Sequence, residues 1–220
     1  MTVTRGATRN LTTPSARREM RRVPDSIQAA PSGRAKCRGC GNAIAKGELR
    51  FGETGPNAYG EGDATSWFHL ACAALMRPEK LEPVLAATAE ELPERAWLAE
   101  TARFGLDHRR LPRLTRAERA SSGRAHCRSC RELINKGEWR FALQMFEEGR
   151  PNSIGTIHAS CAEAYFGTAD VLPRVLRLTP NLSDADVAEL KKALSVQRPG
   201  LVKTQGSDAD DESKLGSGSG

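Results

Sequence analysis

Two copies of one ligand pattern constrain this chain more than anything else in it. Cys37 and Cys40 are followed by His69 and Cys72, and Cys127 and Cys130 by His158 and Cys161, each set spaced Cys-x2-Cys…His-x2-Cys. The central gaps, residues 41–68 and 131–157, hold 28 and 27 residues. All six cysteines fall into the two sets. Three thiolates and one imidazole close a tetrahedral shell of the kind a structural zinc ion takes, because soft sulfur suits the ion and no position is left open for water. The pattern predicts two structural Zn2+ ions per chain and a scaffold held together by metal.

The residues around the ligands repeat as well. Residues 32–51 (SGRAKCRGCGNAIAKGELRF) and 122–141 (SGRAHCRSCRELINKGEWRF) agree at 13 of 20 positions, which marks an internal duplication. Each repeat has about 75 residues, a size at which an apolar core seldom suffices alone and zinc binding contributes on the order of 10 kcal/mol. Disulfides are the competing use of six cysteines. Each Cys-x2-Cys already has its His-x2-Cys, and no signal peptide or long apolar run appears, so disulfides are disfavoured. No βαβ pattern surrounds the pairs as a redox motif requires.

The expected fold class is small α+β zinc-stabilised domains: two tandem Cys3His zinc fingers, each a short antiparallel sheet with packed helices. The expected organisation is a disordered basic arm over 1–30, finger 1 over 31–105, a basic linker over 106–121, finger 2 over 122–198, and an acidic tail over 199–220 that ends in an expression-type Gly-Ser linker. Strands are predicted at 48–53 and 66–70 around a Gly-rich loop, with counterparts at 138–146 and 155–159. Helices should follow the last ligands at 71–76 and 162–166, with Pro78 ending the first. A further helix runs from Pro93 to Phe104, with Trp97, Thr101 and Phe104 on one face and Gly105 as its stop. Ser183 and Asp186 form a capping box for a helix that places Val187, Leu190 and Leu194 on one side.

Charge points to a polyanion. The formal net charge is +6; six thiolates and two dications would bring it to about +4. Six arginines in residues 1–30 face only Glu19 and Asp25, and Arg109, Arg110, Arg113, Arg116 and Arg119 in the linker face Asp107 and Glu118. Catalysis is not expected. His108 and His126 are the only histidines outside the ligand sets, neither lies in a nucleophile or base motif, and no phosphate-cradling Gly loop with Lys-Ser/Thr is present.

Ser-Gly-Arg-Ala-x-Cys-x2-Cys, then Ile-x-Lys-Gly-Glu-x-Arg-Phe, then Trp67-Phe68-His69-x2-Cys72, resembles the poly(ADP-ribose) polymerase-type zinc finger, a DNA-break-sensing module. The resemblance covers about residues 32–105 and 122–197; the second copy has Thr156-Ile157 where the first has Trp67-Phe68. It implies that Arg34 and Arg124, and Arg50 and Arg140, grip backbone phosphates, which suits the bidentate guanidinium and carries no sequence information. Lys36, Arg38, Lys46, Arg128 and Lys136 are further candidates. It also implies apolar side chains that stack on bases exposed at a break. Met145, Phe146 and Ile154 fill that role in finger 2, with core packing an equal alternative for Phe146, and finger 1 offers only Tyr59. Trp67 and Trp139 are expected in the core around zinc.

The expected function is therefore non-enzymatic, sequence-independent recognition of nicks, gaps and ends, by a monomer without membrane association that serves DNA repair enzymes. An adaptor for an acidic protein or RNA is the alternative. The Arg- and Ala-rich composition suggests a bacterial nucleoid first and a nucleus second.

Overall fold

The computed structural model describes residues 24–57, 60–147 and 150–196. The arm before residue 24, Tyr59 and the acidic tail therefore lie outside the described residues.

Finger 1 begins with three antiparallel strands in the order β1 (Ser26–Ala29), β2 (Leu49–Pro56), β3 (Asp63–His69). Helices α1 (Leu70–Met76), α2 (Pro78–Ala87) and α3 (Arg95–Asp107) follow. Finger 2 repeats the sheet with β4 (Leu114–Arg119), β7 (Trp139–Glu147) and β8 (Arg150–His158). A small hairpin of β5 (Ala125–His126) and β6 (Leu133–Ile134) forms its knuckle. A 3-10 turn over Ala159–Cys161 leads into α4 (Ala162–Phe166), α5 (Leu172–Leu178) and α6 (Asp184–Ser195).

The sheets form because alternate residues bury apolar rings between strands and helices. Phe51 and Phe68 face each other in register in finger 1, Phe141 and Ile157 in finger 2, and all four are fully buried. The duplication extends to the backbone. The Gly47 amide donates to the Ala30 carbonyl at 2.8 Å and the Gly137 amide to the Ala120 carbonyl at 2.8 Å. Gly47 and Gly137 turn with φ of 82° and 87°, a conformation open to glycine and strained for other residues.

Several expectations shift. Ser26–Ala29, assigned to the arm, and Leu114–Arg119, assigned to the linker, are the first strand of each sheet. Both are short and depend on pairing, so local pattern does not reveal them. Pro78 does more than stop α1: it sits in the first turn of α2, where its missing N–H and fixed φ suit a helix start. The buried face of α3 is Leu98, Ala102 and Gly105, one position off the expected stripe, and Trp97 is 43% exposed. Small residues face inward because the helix lies close to its neighbours; a Cβ at Gly105 would stand 3.2 Å from the Pro78 ring. Helix α5 was not anticipated, being seven residues with two arginines among its apolar positions. The capping box of α6 is present, with Ser183 and Asp186 bonding reciprocally.

The two fingers share one core. Phe146 on β7 meets buried Phe68 of finger 1 edge-on at 5.9 Å between ring centroids. The Arg77 guanidinium lies 4.6 Å from the centre of the same Phe146 ring. Arg174 of α5 is 3% exposed, and its Nη1 donates to the Leu75 carbonyl and, at 3.2 Å, to that of Leu111. Burial pushes Arg174 down to about 9, still above neutrality, so the guanidinium keeps its charge.

Candidate zinc centres and basic surface

In each finger the first two ligands sit on the knuckle, the histidine ends the long strand (β3 or β8), and the last cysteine lies in the helical turn that follows. Strand pairing and helix start thereby bring four side chains from distant sequence positions together. Ligand atoms of Cys37, Cys40, His69 and Cys72 lie within 4.8 Å of one another, as do those of Cys127, Cys130, His158 and Cys161. Nδ1 of His69 is 3.4 Å from Cys40 Sγ and 3.9 Å from Cys72 Sγ; Nδ1 of His158 is 3.4 Å from Cys130 Sγ and 3.8 Å from Cys161 Sγ. A tetrahedral zinc with ordinary Zn–S and Zn–N bonds separates sulfur and nitrogen by about 3.6 Å. The donor sets fit the ion.

The surroundings prepare the ligands. His69 Nε2 donates to the Ala43 carbonyl at 3.3 Å and His158 Nε2 to the Leu133 carbonyl at 3.2 Å, leaving each Nδ1 lone pair for metal. Glu48 and Glu138 stand 3.7 and 3.6 Å from the same Nε2 atoms. Backbone amides of Gly39 and His69 donate to Cys37 Sγ at 3.3 and 3.4 Å, and the His158 amide to Cys127 Sγ at 3.4 Å.

The thiols titrate as a group. A hydrogen bond from Cys72, helped by backbone amides against the effect of burial, pulls Cys37 down to about 4, and Cys161 does the same for Cys127, to about 4. Cys72 and Cys161 are pushed well above the thiol range by that shared proton and by burial, and burial raises Cys40. A divalent cation favours the ionised form of every ligand at once. Two structural zinc ions hold the two fingers. Each staples a knuckle to the end of its sheet and the start of its helices.

The basic candidates divide sharply. Arg34, Lys36, Arg38 and Lys46 around the first knuckle, and Arg124 and Lys136 around the second, are exposed and meet no acidic group among the described residues. Arg50 is buried, with its guanidinium 3.5 Å over the Trp67 ring. Arg140 is bound to Glu118, Nε and Nη2 donating to Oε1 at 2.9 and 2.7 Å. Arg128 is a latch: its Nη1 donates to the Ile154 carbonyl at 2.7 Å.

The apolar candidates divide as well. Phe146, offered as a base-stacking residue, is engaged by Phe68 and Arg77 at the junction of the fingers. Met145 beside it lines a cavity of about 550 Å³ at that junction, with Arg77, Leu106, Arg109, Arg113 and Phe146. Ile154 is the extra residue of a β-bulge, where pairing jumps from Leu143–Gly155 to Gln144–Ser153, and it is half-buried against the core. Tyr59 lies outside the described residues. Trp139 is buried as expected, with the Arg119 guanidinium 4.5 Å over its ring. The sequence reading missed Glu118, Arg77 and Arg174, whose roles depend on partners far along the chain. Only the odd pairing of Glu118 with a run of arginines hinted at one of them.

Residues 28–103 match the model for the poly(ADP-ribose) polymerase and DNA-ligase zinc-finger region. The chain is 27% identical over 206 residues to poly(ADP-ribose) polymerase 1 of Gallus gallus, covering 83% of this chain and 20% of that protein. It is 25% identical over 220 residues to the poly(ADP-ribose) polymerase of Sarcophaga peregrina (88% and 21%) and 24% over 197 residues to poly(ADP-ribose) polymerase 1 of Caenorhabditis elegans (80% and 20%). The chain thus spans about a fifth of the length of the curated relatives it matches. These relatives are animal proteins, and the bacterial source suggested by composition finds no support among them. Among the described residues no helix is long and apolar enough to cross a membrane. Residues 28–103 are thus similar to the zinc-finger region of poly(ADP-ribose) polymerases and DNA ligases, and the second Cys3His set repeats the ligand arrangement of the first.

Proposed function

We propose that this chain is a DNA-binding, non-enzymatic module that recognises strand breaks without regard to sequence, and that it works in the nucleus alongside repair enzymes. The observation that carries the reading is the set of exposed, unpaired basic side chains around both zinc knuckles: Arg34, Lys36, Arg38 and Lys46 in finger 1, Arg124 and Lys136 in finger 2. Cations left without carboxylate partners are available to phosphate, and guanidinium takes it bidentately. The zinc-finger family match and the animal relatives support the same reading.

Break preference needs an apolar contact that a continuous base stack refuses. Ile154 is the candidate, since a bulge re-aims a side chain and Arg128 fixes the bulged carbonyl. The test is competition between a nicked dumbbell DNA and the same dumbbell ligated shut. About tenfold tighter binding to the nicked form is expected, equal to one stacking contact of about 1.4 kcal/mol, and Ile154→Ser should reduce it. Equal affinity for both DNAs would sink the break reading and leave the basic surface to another polyanion, an acidic protein or RNA.

A further inference from the structure

The two fingers differ at one position that faces the same arginine. In each sheet the first strand places a residue in register with the arginine that closes Lys-Gly-Glu-x-Arg: Gln28 opposite Arg50, and Glu118 opposite Arg140. In finger 2 the carboxylate captures the guanidinium through two hydrogen bonds to Oε1, and Arg116 Nε donates to Oε2 at 2.7 Å. Burial works against ionisation of Glu118, yet Arg116 and Arg140 together hold its carboxyl below the ordinary range. The Arg140 guanidinium is thereby held by a carboxylate within the fold, one it shares with Arg116.

Arg50 has no such partner. It is 6% exposed, it meets no carboxylate among the described residues, and its Nε is enclosed without a hydrogen-bond acceptor. Its guanidinium carbon lies 3.5 Å from the centre of the Trp67 ring, a ring for which finger 2 has Thr156. A cation already stripped of water and lacking a counter-ion gains most when a phosphate arrives. A cation held by a carboxylate must first share or release it.

We propose that the residue opposite this arginine sets how strongly each finger grips DNA, so that Arg50 takes the dominant phosphate contact and Arg140 is a weakened copy restrained by Glu118. This rests on the DNA-binding reading above. Gln28 and Glu118 are then positioning residues that act through the arginines.

The experiment measures affinity of the full chain for the nicked dumbbell, with zinc content and melting checked for every variant. Arg50→Ala should weaken binding about tenfold and Arg140→Ala less than about threefold. Gln28→Glu should reproduce the loss by giving Arg50 a carboxylate, and should have no further effect in the Arg50→Ala background. Glu118→Gln should tighten binding, and only while Arg140 is present. Equal losses for the two alanine variants would overturn the proposal, as would a Gln28→Glu effect that persists without Arg50. Should Arg140→Ala fail to hold two zinc ions, Glu118→Gln alone decides: unchanged or weaker binding refutes the restraint. These comparisons are read on total duplex affinity, so a failure of nick preference in the unsubstituted chain sinks break recognition separately.

Discussion

Arginine shows how little a residue type says about its role until its neighbours are known. Arg34 and Arg124 stand free in solvent, Arg50 lies on an indole, Arg140 is tied to Glu118, Arg128 latches a bulge, and Arg77 grips Glu53 through two hydrogen bonds of 2.6 Å. Motif matching picked out these positions at Arg34, Arg50, Arg124, Arg140 and Arg128, yet could not sort them, because the deciding partner sits across a sheet. For Arg140 that partner is 22 residues away. The exposed pair gives the plainest prediction. Arg34→Ala or Arg124→Ala should leave folding intact and weaken DNA binding equally across sequences. Each should also lower the slope of log affinity against log salt by about 0.9 for the lost phosphate. Titrations at several salt concentrations check it, and an unchanged slope in both variants assigns them to solvent.

At the scale of elements, the duplicated sheets have solved one crowding problem in two ways. Gly52 faces Trp67 in register, and a Cβ there would stand 2.6 Å from the ring; finger 2 carries Ala142 against Thr156 in the same place. Gly52→Ala should therefore cost about 1–3 kcal/mol through overpacking and displace the platform under Arg50. In a Trp67→Thr background the same change should cost less, because only the Thr65 methyl, 3.0 Å from the added Cβ, is left to give way, and a thermal melt of the single and double variants would show the difference. The zinc centres offer a second test. Elemental analysis should find two zinc ions per chain, and Cys40→Ala should leave one, with β2 and β3 losing amide protection while β7 and β8 keep theirs.

The elements carrying ligands were legible because chemistry fixed them. Strands and helices around His69–Cys72 and His158–Cys161 fell within a few residues of expectation, since a ligand set closes only if a strand delivers the histidine and a helix the last cysteine. The elements without ligands were not legible. Ser26–Ala29 is a strand because β2 is beside it, and the inward face of α3 is made of Ala102 and Gly105 because close packing outweighed the size of Trp97.

For the molecule as a whole, the junction between fingers decides more than the linker. Phe146 fills a site against Phe68, and Arg174 satisfies carbonyls of Leu75 and Leu111 from deep inside the interface. Arg174→Ala should cost about 2–4 kcal/mol, because it removes a buried side chain and strands the Leu75 carbonyl, while the Leu111 carbonyl keeps the Leu114 amide. It should also split a single melting transition into two, one for each finger; calorimetry on the zinc-loaded chain is the check. One transition in the variant would show that the fingers remain coupled without it.

Arg174 also has a geometric consequence. The carbonyl of Leu75 belongs to the last turn of α1, the helix that carries Cys72, so this side chain ties finger 2 to the element nearest the first zinc. If the basic surfaces bind DNA as proposed, two surfaces joined this way behave like the jaws of a fixed-gap caliper. The protected length on a nicked duplex is then a property of the fold, unchanged by lengthening residues 108–110, and it should loosen only when the junction itself is broken.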